Sequence, residues 1–225
     1  KYGLNIVPRV NFPELKKILN VALWIMVQNF ISLSTWFIFF VYIEHLCERA
    51  LAITNVIRSL SGFLFMIVVA FASTCSSLVS NIIGAGKKEL VGEVIKRHVK
   101  LSFAIIVPLI AVFSLFPQLF IAIYTDIPEL IEAAVPSLWV MCASYAVIIP
   151  ANVYFNSVSG SGNTKTAFGL ELIALVVYMI YITITILILR IDVAWAWTSE
   201  WVYGAAMFVL CYRYMKSGKW QNRVI

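Results

Sequence analysis

The chain has 225 residues, 62% of them from the set Ala, Val, Ile, Leu, Met, Phe, Trp, Tyr and Cys and only 12% charged, with a mean hydropathy of +0.92. A water-soluble domain is nearer half apolar and a quarter charged, so this composition excludes one: the chain cannot cover itself with polar surface. The net charge of +6 does not point to nucleic acid, because the basic residues fall between hydrophobic runs rather than along a continuous stripe.

A membrane crossing takes about 20 apolar residues plus a short connection, which leaves room for six or seven. Six spans are predicted in chain order: Ile18–Ile43, Ala50–Ile83, Val94–Phe116, Glu129–Ser159, Thr166–Leu189 and Val193–Met215. The expected fold is therefore an all-α integral membrane bundle of six transmembrane helices. The second span would measure about 51 Å at 1.5 Å per residue, so it must tilt, bend or project beyond the bilayer. Helix breakers separate the runs, in IGAGKK at Ile83–Lys88 and SGSGNT at Ser159–Thr164. Pro108, Pro136 and Pro150 fall inside runs, where each removes a backbone donor and permits a kink.

Alternate connections divide the charges unequally. One side collects Lys1, Arg9, Lys16, Lys17, Lys87, Lys88, Lys96, Arg97, Lys100, Lys165, Arg213, Lys216, Lys219 and Arg223; the other has Arg49, Arg58 and Arg190 with most of the acids. This bias predicts both ends in the cytoplasm and hence an even number of spans. Trp195, Trp197, Trp201 and Trp220 are expected to form an interfacial belt at the ends of the last span. Cys47, Cys75, Cys142 and Cys211 show neither disulfide nor metal spacing and read as small hydrophobes. The chain begins at Lys1 without an initiator Met or a signal peptide and is expected to be part of a longer polypeptide.

Three polar faces recur at helical spacing. The second span carries Asn55, Ser59, Gly62, Met66, Ser73, Ser77, Ser80 and Gly84; the first carries Trp24, Gln28, Ser32, Thr35 and Phe39, with Asn29 beside them. The fourth carries Ser137, Met141, Ser144, Asn152, Asn156 and Ser159 around Pro150. Small residues and hydroxyls serve close helix packing, and the same faces suit the wall of a solvated, amphipathic cavity. Because unpaired amides are costly in hydrocarbon, the faces should point into the bundle. Trp24, Gln28, Asn29, Ser32, Asn55, Ser59, Asn152 and Asn156 are accordingly the candidate substrate-cavity residues.

Glu171, early in the fifth span, and Glu200, early in the sixth, are the acids that could lie at depth. An intramembrane carboxylate is a candidate for ion coupling, while a position within two turns of a span's end also suits snorkelling or a salt bridge. Arg58 is expected to pair with an acid or reach the outer interface. Neither catalytic residues nor a metal site is indicated: there is no GxSxG, Walker loop or HExxH, and GAGKK lacks the spacing and preceding strand of a phosphate loop.

The stretch ALAITNVIRSLSGFLFMIVVAFASTCSSLVSNIIGAGKKEL, from Ala50 to Leu90, resembles the eighth helix of multidrug and toxic compound extrusion (MATE) transporters, through Asn55, Phe65, Met66, Gly84 and Gly86. LFPQLFIAIYTDIPELIEAAVPSL resembles that family's link from ninth to tenth helix. SGSGNTKTA is similar to its turn after the tenth, with Asn163 where an acid is more usual, and WVYGAAMFVLCYRYMKSGKW to a bacterial member's last helix and tail.

The resemblance covers essentially the whole chain and implies the C-terminal lobe, helices seven to twelve. Its partner would be an N-terminal six-helix lobe, with small organic substrates bound between the two. It further implies efflux of organic or cationic compounds across the cytoplasmic (inner) membrane in exchange for Na+ or H+, with no other cofactor. Some sodium-coupled members carry acids on helices seven and ten, where this chain has Phe30 and Ile148. A lipid-linked-precursor flippase of the same superfamily and a non-transporting scaffold are the alternatives.

Overall fold

The computed structural model describes residues 11–222. Lys1, Arg9 and Arg223, which contribute to the charge bias, lie outside the described residues, as does the side chain of Lys17. Among the described residues the chain is helical throughout, with no strand.

The first helix, α1 (Phe12–Glu44), starts six residues before its predicted span, with Pro13 in its first turn, where a missing N–H costs nothing. Next, α2 (Glu48–Gly84) opens on a cap in which the Cys47 Sγ accepts from the Ala50 N–H at 3.3 Å. At 37 residues it is the longest helix, about 55 Å at 1.5 Å per residue. The IGAGKK break places Gly86 at φ +75°, a left-handed turn that an L side chain rarely adopts. A single 3-10 turn, Lys88–Leu90, then leads into α3 (Val91–Leu115).

Three boundaries depart from the sequence expectation. The segment after α3, predicted as a connection, contains a short helix, α4 (Pro117–Ile121), anchored by the fully buried Ile121. The fourth span is α5 (Pro128–Gly160) as expected, but the fifth divides into α6 (Thr164–Ile182) and a π-helical turn, Thr183–Ile188. That turn is a run of β-branched residues, whose crowding against the preceding turn disfavours the α-helix. The predicted sixth span, Val193–Met215, breaks into α7 (Val193–Ala196), capped by the Asp192 carboxylate at the Ala194 N–H, and α8 (Ser199–Lys216).

Five stretches are long and apolar enough to cross a membrane: Ala22–Glu44, Glu48–Gly84, Lys88–Leu115, Pro128–Gly160 and Thr164–Ile188. Of comparable reach, α8 is about 27 Å over its 18 residues, but it carries Glu200, Arg213 and Lys216. It nonetheless packs along α5 and α6 as a member of the bundle.

At the centre lies α5, bordered by α2, α3, α6 and α8. It runs parallel to α2, with Ser61 beside Tyr145 and Cys75 beside Ser157. Two apolar clusters stack along this axis. One holds Phe39, Ile57, Leu64, Leu138, Tyr145 and Trp197; the other holds Ala72, Val79, Ile95, Val153, Met207 and Cys211. Of the candidate spans, α1 is the least buried, and its largest helix–helix contact is with α6.

Candidate functional site

The polar stripe of α2 stays open. Ile53, Ile57, Leu60, Leu64, Val68, Ala72, Cys75, Val79 and Ile83 form the helix's buried face. Asn55, Gly62, Met66, Ser73, Ser77 and Gly84 are exposed on the other side, with Ser59 and Ser80 half-buried among them. The hydroxyls are satisfied within the helix: Ser59 Oγ donates to the Asn55 carbonyl at 3.0 Å and Ser77 Oγ to that of Ser73 at 3.2 Å. The Asn55 side chain is exposed among these small residues. The stripe therefore does not pack this bundle together, and with Met66 and the exposed Phe63, Phe65 and Val69 beside it the open face is amphipathic.

The polar face of α1 behaves differently, closing on α6 and α8. The Trp24 ring meets Phe168, with centroids 5.7 Å apart, and the Lys165 ammonium lies 5.5 Å from its centre. One turn on comes Gln28, and then Ser32, whose Oγ lies 2.5 Å from Glu171 Oε1 and 3.0 Å from the Gln28 carbonyl, two acceptors for its one hydroxyl proton. A further turn along, the Trp36 indole N–H donates to Glu200 Oε1 at 3.3 Å. Positions 24, 28, 32 and 36 share one face because helical neighbours recur every four residues. Asn29 is exposed beside that face.

The polar residues of α5 divide by depth. Ser137, Met141 and Ser144, expected on a cavity face, are inside the core. Asn152 and Asn156 are half-buried and donate within their own helix, to the Ile148 and Asn152 carbonyls, both at 3.0 Å. This leaves each amide oxygen as an acceptor. The α2–α5 register puts Asn55 level with Trp139, so Asn55 and Asn152 are separated by about 20 Å along the bundle. The eight candidate cavity residues thus lie in three places: Asn55 and Ser59 on the open face, Trp24, Gln28 and Ser32 in the α1 seam with Asn29 beside it, and Asn152 and Asn156 deeper along α5.

Around the two acids the structure gathers residues that sequence patterning missed. Glu171 is 6% exposed, and its Oε2 is buried without a hydrogen-bond partner, although Gln28 and Tyr203 adjoin the carboxylate. Tyr203 adjoins Glu171 and Tyr178 adjoins Ser199, with Glu200 within electrostatic range of both tyrosines. Tyr178 Oη, Ser199 Oγ and Trp197 Nε1 are likewise buried and unpartnered. Trp36, Tyr178 and Tyr203 read as ordinary apolar-span aromatics in sequence. Only the α1–α6–α8 packing gives their polar atoms a common location.

Several other expectations change. For Arg58 one of the two expected alternatives falls away, since no acid pairs with it among the described residues; its exposed guanidinium sits 5.1 Å over the Phe40 ring. The Trp belt is divided: Trp197 (1% exposed) packs edge-on against Phe39, and Trp220 donates to the Met215 carbonyl at 2.9 Å. Trp195 and Trp201 instead line an open groove of about 520 Å³ with Trp139 and Tyr181. No cluster of three His, Cys, Asp or Glu side chains able to hold a metal occurs among the described residues. What the open α2 face and the α1 seam offer chemically is binding: an amphipathic wall, an enclosed carboxyl at Glu171 and a half-buried one at Glu200.

A family model described as MatE matches residues 25–195. The chain is similar to a solved MOP superfamily transporter from Pyrococcus furiosus, described as having a binding pocket of reversed polarity. The two share 16% identity over 88% of this chain and 44% of that one, with a TM-score of 0.78. It is also similar to a MATE protein in a bent conformation (16% identity, 90% of this chain and 46% of that one, TM-score 0.79). A third similar structure is an outward-facing multidrug resistance MATE family transporter (16% identity, 92% and 47%, TM-score 0.76). At these identities the likeness is one of fold. The chain spans about half the length of the structures it matches. No curated protein matches it.

Proposed function

Because the chain belongs to the MatE family of membrane transporters, we propose that it is one lobe of a secondary active multidrug efflux transporter. It would export organic, especially cationic or amphipathic, compounds across the cytoplasmic membrane in exchange for Na+ or H+. The observation that carries this reading is the uncovered polar stripe of α2 from Asn55 to Gly84. The row runs from Asn55 through Ser59, Gly62, Met66, Ser73, Ser77 and Ser80 to Gly84, mixing polar, small and apolar positions, and is not used inside this lobe. It suits the wall of a solvated cavity closed by a second six-helix lobe.

The matched structures are about twice as long as this chain, which agrees with a second lobe completing the transporter. Both ends of this lobe would face the cytoplasm, where the basic residues collect. Alternating access would then arise from rocking of the two lobes about the cavity.

The test is drug susceptibility and dye accumulation in a pump-deficient host expressing the full-length protein. Lowered accumulation of at least one organic cation, dissipated by removing the ion gradient, is expected. Good membrane expression with unchanged accumulation across a broad dye and drug panel would overturn the reading.

A further inference from the structure

Glu171 has an environment that a purely structural carboxylate does not need. It is 6% exposed, one oxygen takes a short contact from Ser32, and the other is enclosed with no partner. It sits where the two apolar clusters meet: Ala167 and Ala174, on either side of it in α6, belong to one, and Tyr203 packs against both.

Among the described residues, the groups facing it do not supply a positive charge. From α1 come the neutral Ser32 and Gln28, and from α8 comes Tyr203, with Cys211 and Glu200 further off. Tyr178 of α6 and Tyr145 of α5 lie within electrostatic range of Glu200. The nearest base along α6, Lys165, is engaged at Trp24, and Arg58 lies over Phe40. The ion pair found among the described residues, Arg97–Glu93, is elsewhere on an exposed face of α3. An enclosed carboxylate without a cation is costly, and adding a proton removes the charge and provides a donor.

We propose that Glu171 is a proton-binding site of this lobe, linked to α1 through Ser32. The proposal rests on the transporter reading and adds to it the ion, its residue and the helix that responds. The least buried span, α1, is tied to α6 and α8 by the contacts of Ser32 with Glu171 and of Trp36 with Glu200, alongside its buried Phe39 and Ile43. Loss of the proton leaves a charge at the Ser32 contact and changes that seating.

The test is infrared difference spectroscopy between acidic and alkaline buffer on the full-length protein in lipid nanodiscs. The wild type should show a carboxylic C=O band that vanishes in alkaline buffer. Glu171→Gln should remove the band, and Ser32→Ala should shift its frequency. Sodium added at constant pH should leave it in place.

A band that persists in Glu171→Gln, the absence of any titrating band, or its loss on adding sodium would overturn the proposal. If Glu171→Gln does not fold, the Ser32→Ala spectrum decides, and an unmoved band there is equally fatal. Efflux measured alongside separates the two readings. A titrating band in a protein that exports nothing removes the transporter function and keeps the site. Wild-type export whose pH dependence survives in Glu171→Gln removes the site's coupling role and keeps the function.

Discussion

A methyl group placed on Gly160 would stand 2.4 Å from the carbonyl oxygen of Ser76 and 2.9 Å from its Cα. The end of α5 therefore touches α2 backbone to backbone, and the obstruction is not a side-chain tip that could turn aside. This close approach and the Ser61–Tyr145 pair hold α2 and α5 in one register. The open stripe of α2 is presented by that seam.

Gly160→Ala should lower stability by about 1–3 kcal/mol, the range for overpacking a closed contact. Gly169 in α6 has nothing within 4 Å of a built Cβ, so Gly169→Ala should raise stability by up to about 1 kcal/mol through helix propensity. Thermal melts of the two variants in one detergent should move in opposite directions.

Tyr145 Oη, on a fully buried ring, donates to the part-buried Ser61 carbonyl at 2.8 Å. Tyr145→Phe keeps the ring and removes the bond, at a cost of about 0.5–1.5 kcal/mol, because the Ser61 carbonyl retains its helical N–H partner. Tyr145→Leu should cost more, since the packing goes as well. Denaturant titration followed by tryptophan fluorescence would rank the two.

Trp197 and Trp195 are two residues apart and should behave oppositely. Trp197→Ala empties a site that is 1% exposed against Phe39, and should cost about 3–5 kcal/mol. Trp195 is 65% exposed, and its alanine variant should stay within about 0.5 kcal/mol of wild type. Equal melting temperatures for the pair would contradict the division of the tryptophans into core and groove.

Asn55→Leu changes an exposed position whose backbone carbonyl, not its side chain, receives Ser59. Its melting temperature should stay near that of the wild type, while efflux by the full-length protein falls several-fold. Asn152→Leu also removes the amide that donates to the Ile148 carbonyl and should lower both. Retained efflux in Asn55→Leu would separate the open stripe from substrate handling.

Composition and periodicity were enough to read a membrane-embedded, all-helical chain, because lipid demands long apolar runs whose backbone bonds close internally. They located α2 and α5 to within a few residues, and the ordered motifs from Asn55 to Trp220 were enough to suggest the MatE family. Boundaries failed where local chemistry overrode hydropathy: the β-branched turn at Thr183–Ile188 and the break at Trp197 and Thr198. Periodicity also gave three similar faces three similar meanings.

Which face meets which neighbour depends on the rotation and register of helices distant in the chain, and a residue's own spacing says nothing of either. Packing turned the α1 face onto α6 and α8, took Ser137 and Ser144 into the core and left the α2 stripe uncovered. The same packing joined Ser32 to Glu171, residues 139 positions apart, and enclosed a carboxyl that the sequence had placed only near the end of a span.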